Sequence, residues 1–337
     1  MLAGMRRYPS AGLLIALLLV AGCAGEPGDP ADRSTAAPSA TDASASPTSN
    51  SSPAEAPPPV SAQASEIWAA YVKRFVKAAD RAFGPRHDAS VLTGIAAGAS
   101  WVAANFKAER YRRTGETDEQ ITFTATPLAC YEPEDLADAL ELACAMRMRF
   151  QDTDSRNEGI RFTVLRREST AKPWRLHIMV DYDGSHAPLP APDAPSPTTA
   201  EREKVLAVAR RVMRYYDGEI DKADPGFLAG PHGSRAAGWN PGLVLESRTT
   251  SLYAGQDGST SDAVVVRRTA DGVIGIVAAM SRMVVDGMGS RALDHPEYLV
   301  YGSAARETVW GAVPFVVRLP EGGQPVLMAA ESSWALP

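Results

Sequence analysis

The 337-residue sequence predicts an α+β protein with two tandem domains, each a helix layer on a curved antiparallel sheet, after a disordered linker. Three observations predict this class. Apolar residues recur first at helical spacing and then at the alternating spacing of strands. A proline-rich stretch divides the chain, and the same order of elements begins again after it. The predicted parts are a signal peptide at 1–22, a linker at 23–63, a first domain at 64–184, a second linker at 185–199 and a second domain at 200–337.

The N-terminus has the pattern of a secretory signal. Arg6 and Arg7 precede an apolar run that ends in Val20-Ala21-Gly22-Cys23. This ending resembles the lipobox of bacterial lipoproteins, which implies diacylation of Cys23 and cleavage before it. We therefore expect a lipid-anchored protein on the extracytoplasmic face of the cell membrane. The alternative is an ordinary secretory signal with a chance cysteine.

The segment after Cys23 is rich in Ser, Ala, Pro and Thr and has Val60 as its only large aliphatic residue before residue 64. Such a composition predicts a disordered tether. A coil of roughly 40 residues averages about 35 Å from end to end. Without residues 1–22 the chain has 32 basic and 40 acidic side chains. This negative balance argues against nucleic acid as a partner, and it predicts that the tether holds the domains away from anionic lipid.

Three segments have the spacing of amphipathic helices. In the first, Ser65 is the predicted N-cap of a helix that ends at Gly84-Pro85. The second spans Asp88 to Arg113 and is predicted to bend near Gly94 or Gly98. The third begins after the second linker, where Thr198 and Glu201 form a capping-box pattern. Each helix that opens a domain has one apolar and one charged face, so each is expected to lie on a sheet.

Alternation predicts four strands in the first domain and a meander in the second. The first four contain Ile121 to Phe123, Leu142 to Phe150, Ile160 to Val164 and Trp174 to Tyr182. The second set contains Val264 to Arg268, Val273 to Val285, Tyr298 to Tyr301, Val309 to Leu319 and Val326 to Ala330. Asp271-Gly272 is typical of a hairpin turn.

A helix followed by a curved meander resembles the cone-shaped fold of nuclear transport factor 2, ketosteroid isomerase and scytalone dehydratase. The combination of lipobox, linker and paired helix-plus-sheet units is similar to uncharacterised actinobacterial lipoproteins that contain a domain of unknown function. This resemblance covers most of the chain after the signal, and it implies a fold but no activity.

Two further cysteines, Cys130 and Cys144, lie in adjacent predicted strands. In an exported protein this arrangement predicts a disulfide across a hairpin. The alternative is a pair of buried free thiols.

Catalytic and metal-binding patterns are weak, and no cofactor is predicted. Ser169-Thr170-Ala171-Lys172 matches the serine–lysine motif of penicillin-recognising enzymes, but it lies between two strands and Pro173 follows it. A polar hairpin turn is the better interpretation. The five histidines lack the spacing of a metal site.

One set of residues is a candidate anion-binding face. Strand alternation predicts that five basic side chains share one face of the first sheet: Arg147, Arg149, Arg161, Arg175 and His177. Arginine offers forked donors for carboxylate or phosphate, so a wall polymer, a lipid headgroup or an acidic protein is a fitting partner. The alternative is a solvated sheet face paired with neighbouring acids.

These observations favour a non-catalytic binding or accessory module at the cell envelope over an enzyme. The second hypothesis is a carrier or enzyme that binds a small apolar ligand in the cone. A purely structural role is a third.

Overall fold

The structure of the protein, a computed structural model, describes residues 60–117, 122–133, 135–151, 156–182, 187–188, 190, 196–219, 244–254, 260–286, 306–330 and 333–335. Residues 58–337 form one compact unit. Its described parts contain helices and antiparallel sheets, which confirms the α+β class.

Helix α1 spans Ala62–Phe83, and its N-cap lies four residues before the predicted cap, Ser65. Its N-cap is Ser61, whose hydroxyl accepts a hydrogen bond from the backbone N of Ala64 at 3.0 Å. The choice of Ser65 was wrong because two serines precede the apolar pattern and only the first has the extended backbone of a cap.

The second predicted helix is two elements. A 3₁₀ helix spans Ala89–Gly94 and α2 spans Gly98–Thr114. The residues between them pair with the first sheet, since Leu176 N donates to Ile95 O and Ala97 N donates to Leu176 O, both at 2.9 Å. The predicted bend is therefore a complete break in the helix.

Four strands form the first sheet: β1 Thr122–Tyr131, β2 Glu141–Gln151, β3 Arg156–Arg166 and β4 Arg175–Tyr182. They pair in sequence order as an antiparallel meander. The pairing of edge strand β1 shifts between Pro127 and Ala129, where the proline would otherwise interrupt the ladder.

Helix α3 spans Thr199–Tyr216, and its predicted capping box is confirmed. The strands after it are β5 Val244–Leu252, β6 Val264–Thr269, β7 Gly272–Val277, β8 Ala279–Asp286, β9 Arg306–Ala312, β10 Phe315–Pro320, β11 Val326–Ala330 and β12 Ser333–Ala335. The second sheet has the order β11-β10-β7-β6, and the third has the order β12-β9-β8-β5.

Two long predicted strands of this second half are each broken in the middle. The first break is at Ala278, between β7 and β8, and the second is at Val313-Pro314, between β9 and β10. The breaks are adjacent, because Val313 N donates to Ala279 O at 2.8 Å. At this corner the chain passes from the second sheet to the third after β7, and from the third back to the second after β9. The strand predicted at Tyr298 to Tyr301 lies outside the described residues.

The layers follow from three apolar cores. Helices α1 and α2 pack on one face of the first sheet. The other face of that sheet packs on the second sheet, with Phe162, Val164 and Ile178 against Ile274 and Val316. Helix α3 covers the far face of the second sheet. The expectation that α1 and α3 each lie on a sheet is confirmed.

Gly275 allows the close approach of α3 to the second sheet. A Cβ atom at this position would lie 2.3 Å from Cγ1 of Val205, which is well inside van der Waals contact.

The two predicted domains share the core between their sheets. Their division at 185–199 stays a prediction.

Candidate functional site

Of the five residues predicted for the basic face, only Arg147 and Arg149 lie together, at one end of the first sheet. Arg147 and Arg149 lie on β2, directly opposite Thr126 and Thr124 of β1. Cross-strand partners point to the same side of a sheet, so these four side chains share one face. We call this group, Thr124, Thr126, Arg147 and Arg149, the arginine ledge.

The ledge has hydrogen-bond donors to offer. The side chain of Arg147 is 57% exposed, and its Nε lies 4.0 Å from a carboxylate oxygen of Glu158, which is 54% exposed. Such an exposed, long ion pair holds its partners weakly. Arg149 is half-buried, and its Nε is shielded from solvent and has no hydrogen-bond partner among the residues that the structure describes. Both threonines are exposed. The group can donate several hydrogen bonds to one anion.

Arg161 is not part of this face, which corrects the prediction. Arg147 lies opposite Ile160, whereas Arg161 lies opposite Met146 on one side and Asp181 on the other. Arg161 therefore points toward the helix layer. It is 2% exposed and forms an ion pair with Asp181.

The error has a physical cause. On β2 every second residue faces the helices, namely Leu142, Cys144, Met146 and Met148. On β3 the apolar residues Ile160, Phe162 and Val164 face the second sheet. The first sheet is buried on both faces, so apolar alternation in neighbouring strands marks opposite sides. The prediction assumed one buried face.

Arg175 and His177 lie at the other end of the sheet. Arg175 is opposite Arg166 in the pairing of β3 and β4, and it forms an ion pair with Glu168 at 2.6 Å. Eight residues of β3 separate this position from Glu158, which is opposite Arg149. At about 3.4 Å per residue the two ends are roughly 27 Å apart. One small ligand cannot contact both.

His177 lies beside the start of α2, where a Cβ on Gly98 would be 3.4 Å from its Nδ1. The pKa of His177 is lowered to about 4, chiefly by burial and also by the positive charges of Arg166 and Arg175, which outweigh the opposite effect of Asp262 and Glu141. The imidazole is therefore neutral in the folded protein at pH 6 and cannot bind an anion as a cation.

This shift predicts a pH dependence of stability. Between pH 6.5 and pH 4 the unfolded chain binds a proton at His177 that the folded protein does not bind, so the free energy of unfolding falls as pH falls. The expected loss is about 2–3 kcal/mol, since each pKa unit is about 1.4 kcal/mol. Urea unfolding of the wild type and of His177→Gln across this range isolates the effect. Parallel pH profiles for the two proteins would contradict it.

A charged cluster joins the first and second sheets. Glu141 accepts a hydrogen bond from Nε of Arg166 at 2.8 Å and also pairs with Arg267. Arg166 in turn donates to the backbone O of Asp262 at 2.6 Å and lies 3.1 Å from its carboxylate. Glu141 and Arg166 come from the first sheet, whereas Asp262 immediately precedes β6 and Arg267 lies in it. We call these four residues the intersheet cluster.

A disulfide between Cys130 and Cys144 confirms the predicted pairing. The two residues are directly opposite in β1 and β2. Trp68 of α1 covers the bond, and its indole Nε1 lies 3.3 Å from Sγ of Cys144. Closure of this short loop contributes about 3 kcal/mol in the chain-entropy model. The bond thus stabilises the hairpin of β1 and β2, against which Trp68 of α1 packs.

Other sequence matches have simple outcomes. Ser169 to Lys172 is an exposed turn between β3 and β4, in which Lys172 N donates to Ser169 O at 3.0 Å. Within the described ranges there is no cluster of three metal-ligating side chains. No helix among the described residues is long and apolar enough to span a membrane. Cys23 lies outside the described residues.

Sequence reasoning missed the two threonines of the ledge. They alternate with Phe123 and Ala125 in the sequence, so the signal was present, but threonine in a strand is ordinarily interpreted as a solvated residue.

Comparison with models of known protein families gives no match, and neither does comparison with curated proteins. Any function is therefore inferred from this chain's own residues.

Proposed function

We propose that the protein is an extracytoplasmic lipoprotein, acylated at Cys23, that acts as a non-catalytic binding or accessory module for an anionic partner at the cell envelope. The lipobox supports the anchor, and the Ser/Ala/Pro-rich composition of residues 24–59 supports a tether. The arginine ledge supports the choice of partner.

The observation that carries the proposal is the buried Nε of Arg149, which lies beside exposed Arg147 and has no partner within the described part of the chain. A buried donor without an acceptor has lost its hydration and gained nothing in return. A carboxylate or phosphate oxygen at this position restores the missing hydrogen bond and is held by two guanidinium groups. An envelope polymer or an acidic protein surface supplies such oxygens.

The ledge is far from the point where the tether joins the unit. Backbone N of Ser61, just before α1, donates to a carboxylate oxygen of Glu132, which follows β1. The ledge is at the opposite end of β1, and seven residues separate Thr124 from Tyr131. At about 3.4 Å per residue this is roughly 24 Å. The ledge and Ser61 therefore lie at opposite ends of β1.

The test is the affinity for immobilised polyphosphate and for poly-glutamate, which present phosphate and carboxylate oxygens. The double variant Arg147→Gln/Arg149→Gln should raise the dissociation constant for at least one polymer by tenfold or more. The reason is that hydrogen bonds to charged groups contribute about 1.5–3 kcal/mol each. The control is Arg202→Gln with Arg210→Gln, which removes two exposed charges from α3. Equal losses in both double variants would reduce the effect to net charge and refute the ledge.

The second hypothesis, a carrier or enzyme with a cone-shaped pocket, stays a prediction of the sequence. A buried polar group lies between α3 and the third sheet, where Thr250 bonds to Asp217 at 2.6 Å and to Ser281 at 2.7 Å. Arg248 donates to Ser281 at 3.2 Å and stacks over the ring of Tyr216. These contacts join the end of α3 to β5 and β8, which is a structural role.

A further inference from the structure

Charge is distributed unevenly along the chain. The whole sequence has a net charge of −6, yet residues 73–113 contain nine lysine and arginine residues and only three acidic residues. This segment runs from the middle of α1 to the end of α2. The outer helix layer is thus basic, although the protein as a whole is acidic.

The basic residues of α1 form a line. Lys73, Lys77 and Arg81 follow one another at intervals of four residues, which places them on one side of the helix with a rise of about 6 Å per step. Lys73 and Lys77 are exposed and have no ion pair within the described residues. Arg81 pairs with Asp88. The same line continues toward the N-terminus through Ser65 and Ala69, which are small, exposed and uncharged.

The line ends where α1 and α2 meet. The rings of Phe83 and Tyr111 are 6.1 Å apart, and Nζ of Lys107 lies 4.7 Å from the centre of the Phe83 ring. The last turn of α2 adds exposed Arg112 and Arg113. These two arginines share Glu109, whose pKa they lower to about 2. One carboxylate thus pairs with two guanidinium groups.

The helix dipole does not explain the line. Cations near a helix C-terminus are favourable, but this effect falls off within the last turn. Lys73 and Lys77 are more than one turn before Phe83, where α1 ends. Like charges four residues apart also weaken a helix slightly. A binding role accounts for their presence.

We propose that this basic helical surface, defined as Lys73, Lys77, Arg81, Arg112 and Arg113, docks α1 onto the anionic surface of the membrane that holds the acyl anchor. The proposal rests on the proposed lipid anchor. Helix α1 is the first described helix after the predicted tether, and its C-terminal half carries the basic line. The opposite sign of lipid phosphate and of this surface supports lipid as the occupant. The net negative charge predicted a unit held away from lipid, but the layer nearest the tether in sequence is basic.

The test uses the intact protein reconstituted into phosphatidylcholine vesicles with or without 30 mol % phosphatidylglycerol. Ser65→Cys places a fluorophore on the line without changing its charge, and Ala207→Cys places a matched label on exposed α3. A nitroxide on the lipid headgroup quenches whichever label lies at the membrane. We expect quenching of the residue-65 label with phosphatidylglycerol only, and its loss at 1 M salt.

Charge removal makes the test specific. Lys73→Gln with Lys77→Gln should lower the ratio of docked to undocked protein by about fivefold for each lysine. Lys204→Gln with Arg210→Gln on α3 should leave it unchanged. A residue-65 label that stays unquenched on phosphatidylglycerol vesicles overturns the proposal. Binding to soluble polyphosphate that depends on Lys73 and Lys77, without binding to vesicles, overturns it in favour of a polymer partner.

Separate measurements test the acyl anchor and the docking of α1. The mass of the N-terminal peptide shows whether Cys23 is acylated. An unacylated cysteine refutes the anchor, and docking is then measured by co-sedimentation of the same protein with the same vesicles. An acylated protein whose α1 label stays unquenched refutes docking alone.

Discussion

Replacement of Phe162 by alanine should lower the free energy of unfolding by about 4 kcal/mol, since removal of a fully buried aromatic ring costs about 3–5 kcal/mol. Phe162 is 0% exposed and lies in the core between the first and second sheets. Its ring is 5.4 Å from that of Tyr182 on β4. Urea unfolding, followed by tryptophan fluorescence and circular dichroism, measures the change.

The same variant tests the division into two domains. If the segments before and after residues 185–199 are stabilised by their common core, Phe162→Ala should also reduce hydrogen-exchange protection in β7 and β10. Phe123→Ala is the matched control, because Phe123 is buried on the helix side of the same sheet, against Phe75. Unchanged protection of β7 and β10 in Phe162→Ala, with loss confined to β1–β4, would establish two independently stable domains.

Local signals predicted the parts of the fold that depend on neighbouring residues. The capping box of Thr198 and Glu201 marks the start of α3 to within one residue, because both side chains act within a single turn. The Cys130–Cys144 disulfide was also predictable, since both cysteines lie in adjacent strands of one hairpin. The hairpin predicted at Asp271-Gly272 joins β6 and β7, although its two turn residues are Ala270 and Asp271. Gly272 is the first residue of β7, and its φ of 145° favours glycine.

Features that depend on distant packing were missed. Strand β5 was not predicted, because the face of its middle that packs toward α3 has Arg248 and Thr250 in place of apolar residues. The hydroxyl of Thr250 and Nε of Arg248 are hydrogen-bonded, and no hydrophobic pattern marks them. The location of Arg161 was wrong for a related reason, since only the second sheet reveals that the first is covered on both faces. The ledge was predicted in part: two of the five residues predicted for the basic face, Arg147 and Arg149, belong to it.

Neutralisation of Glu141 is the second large effect that we expect. Its carboxylate lies between Arg166 and Arg267, with side chains 11% and 21% exposed, and is itself 22% exposed. Glu141→Gln keeps the shape but removes the negative charge, which leaves Asp262, 70% exposed, as the cluster's remaining carboxylate. Removal of one partner from a buried ion pair costs about 3–5 kcal/mol, and partial exposure places this case near 3 kcal/mol.

The control and a double-mutant cycle separate this effect from a general loss of charge. Glu158→Gln removes a carboxylate that is 54% exposed and 4.0 Å from Arg147, so it should change the free energy of unfolding by less than about 0.5 kcal/mol. Arg267→Gln combined with Glu141→Gln should cost less than the sum of the single variants, because the pair is coupled. Additive losses would refute the coupling. Since Glu141 lies in β2 and Arg267 in β6, a coupling measured here is an interaction between the first and second sheets, and its removal weakens their contact without altering the apolar core around Phe162.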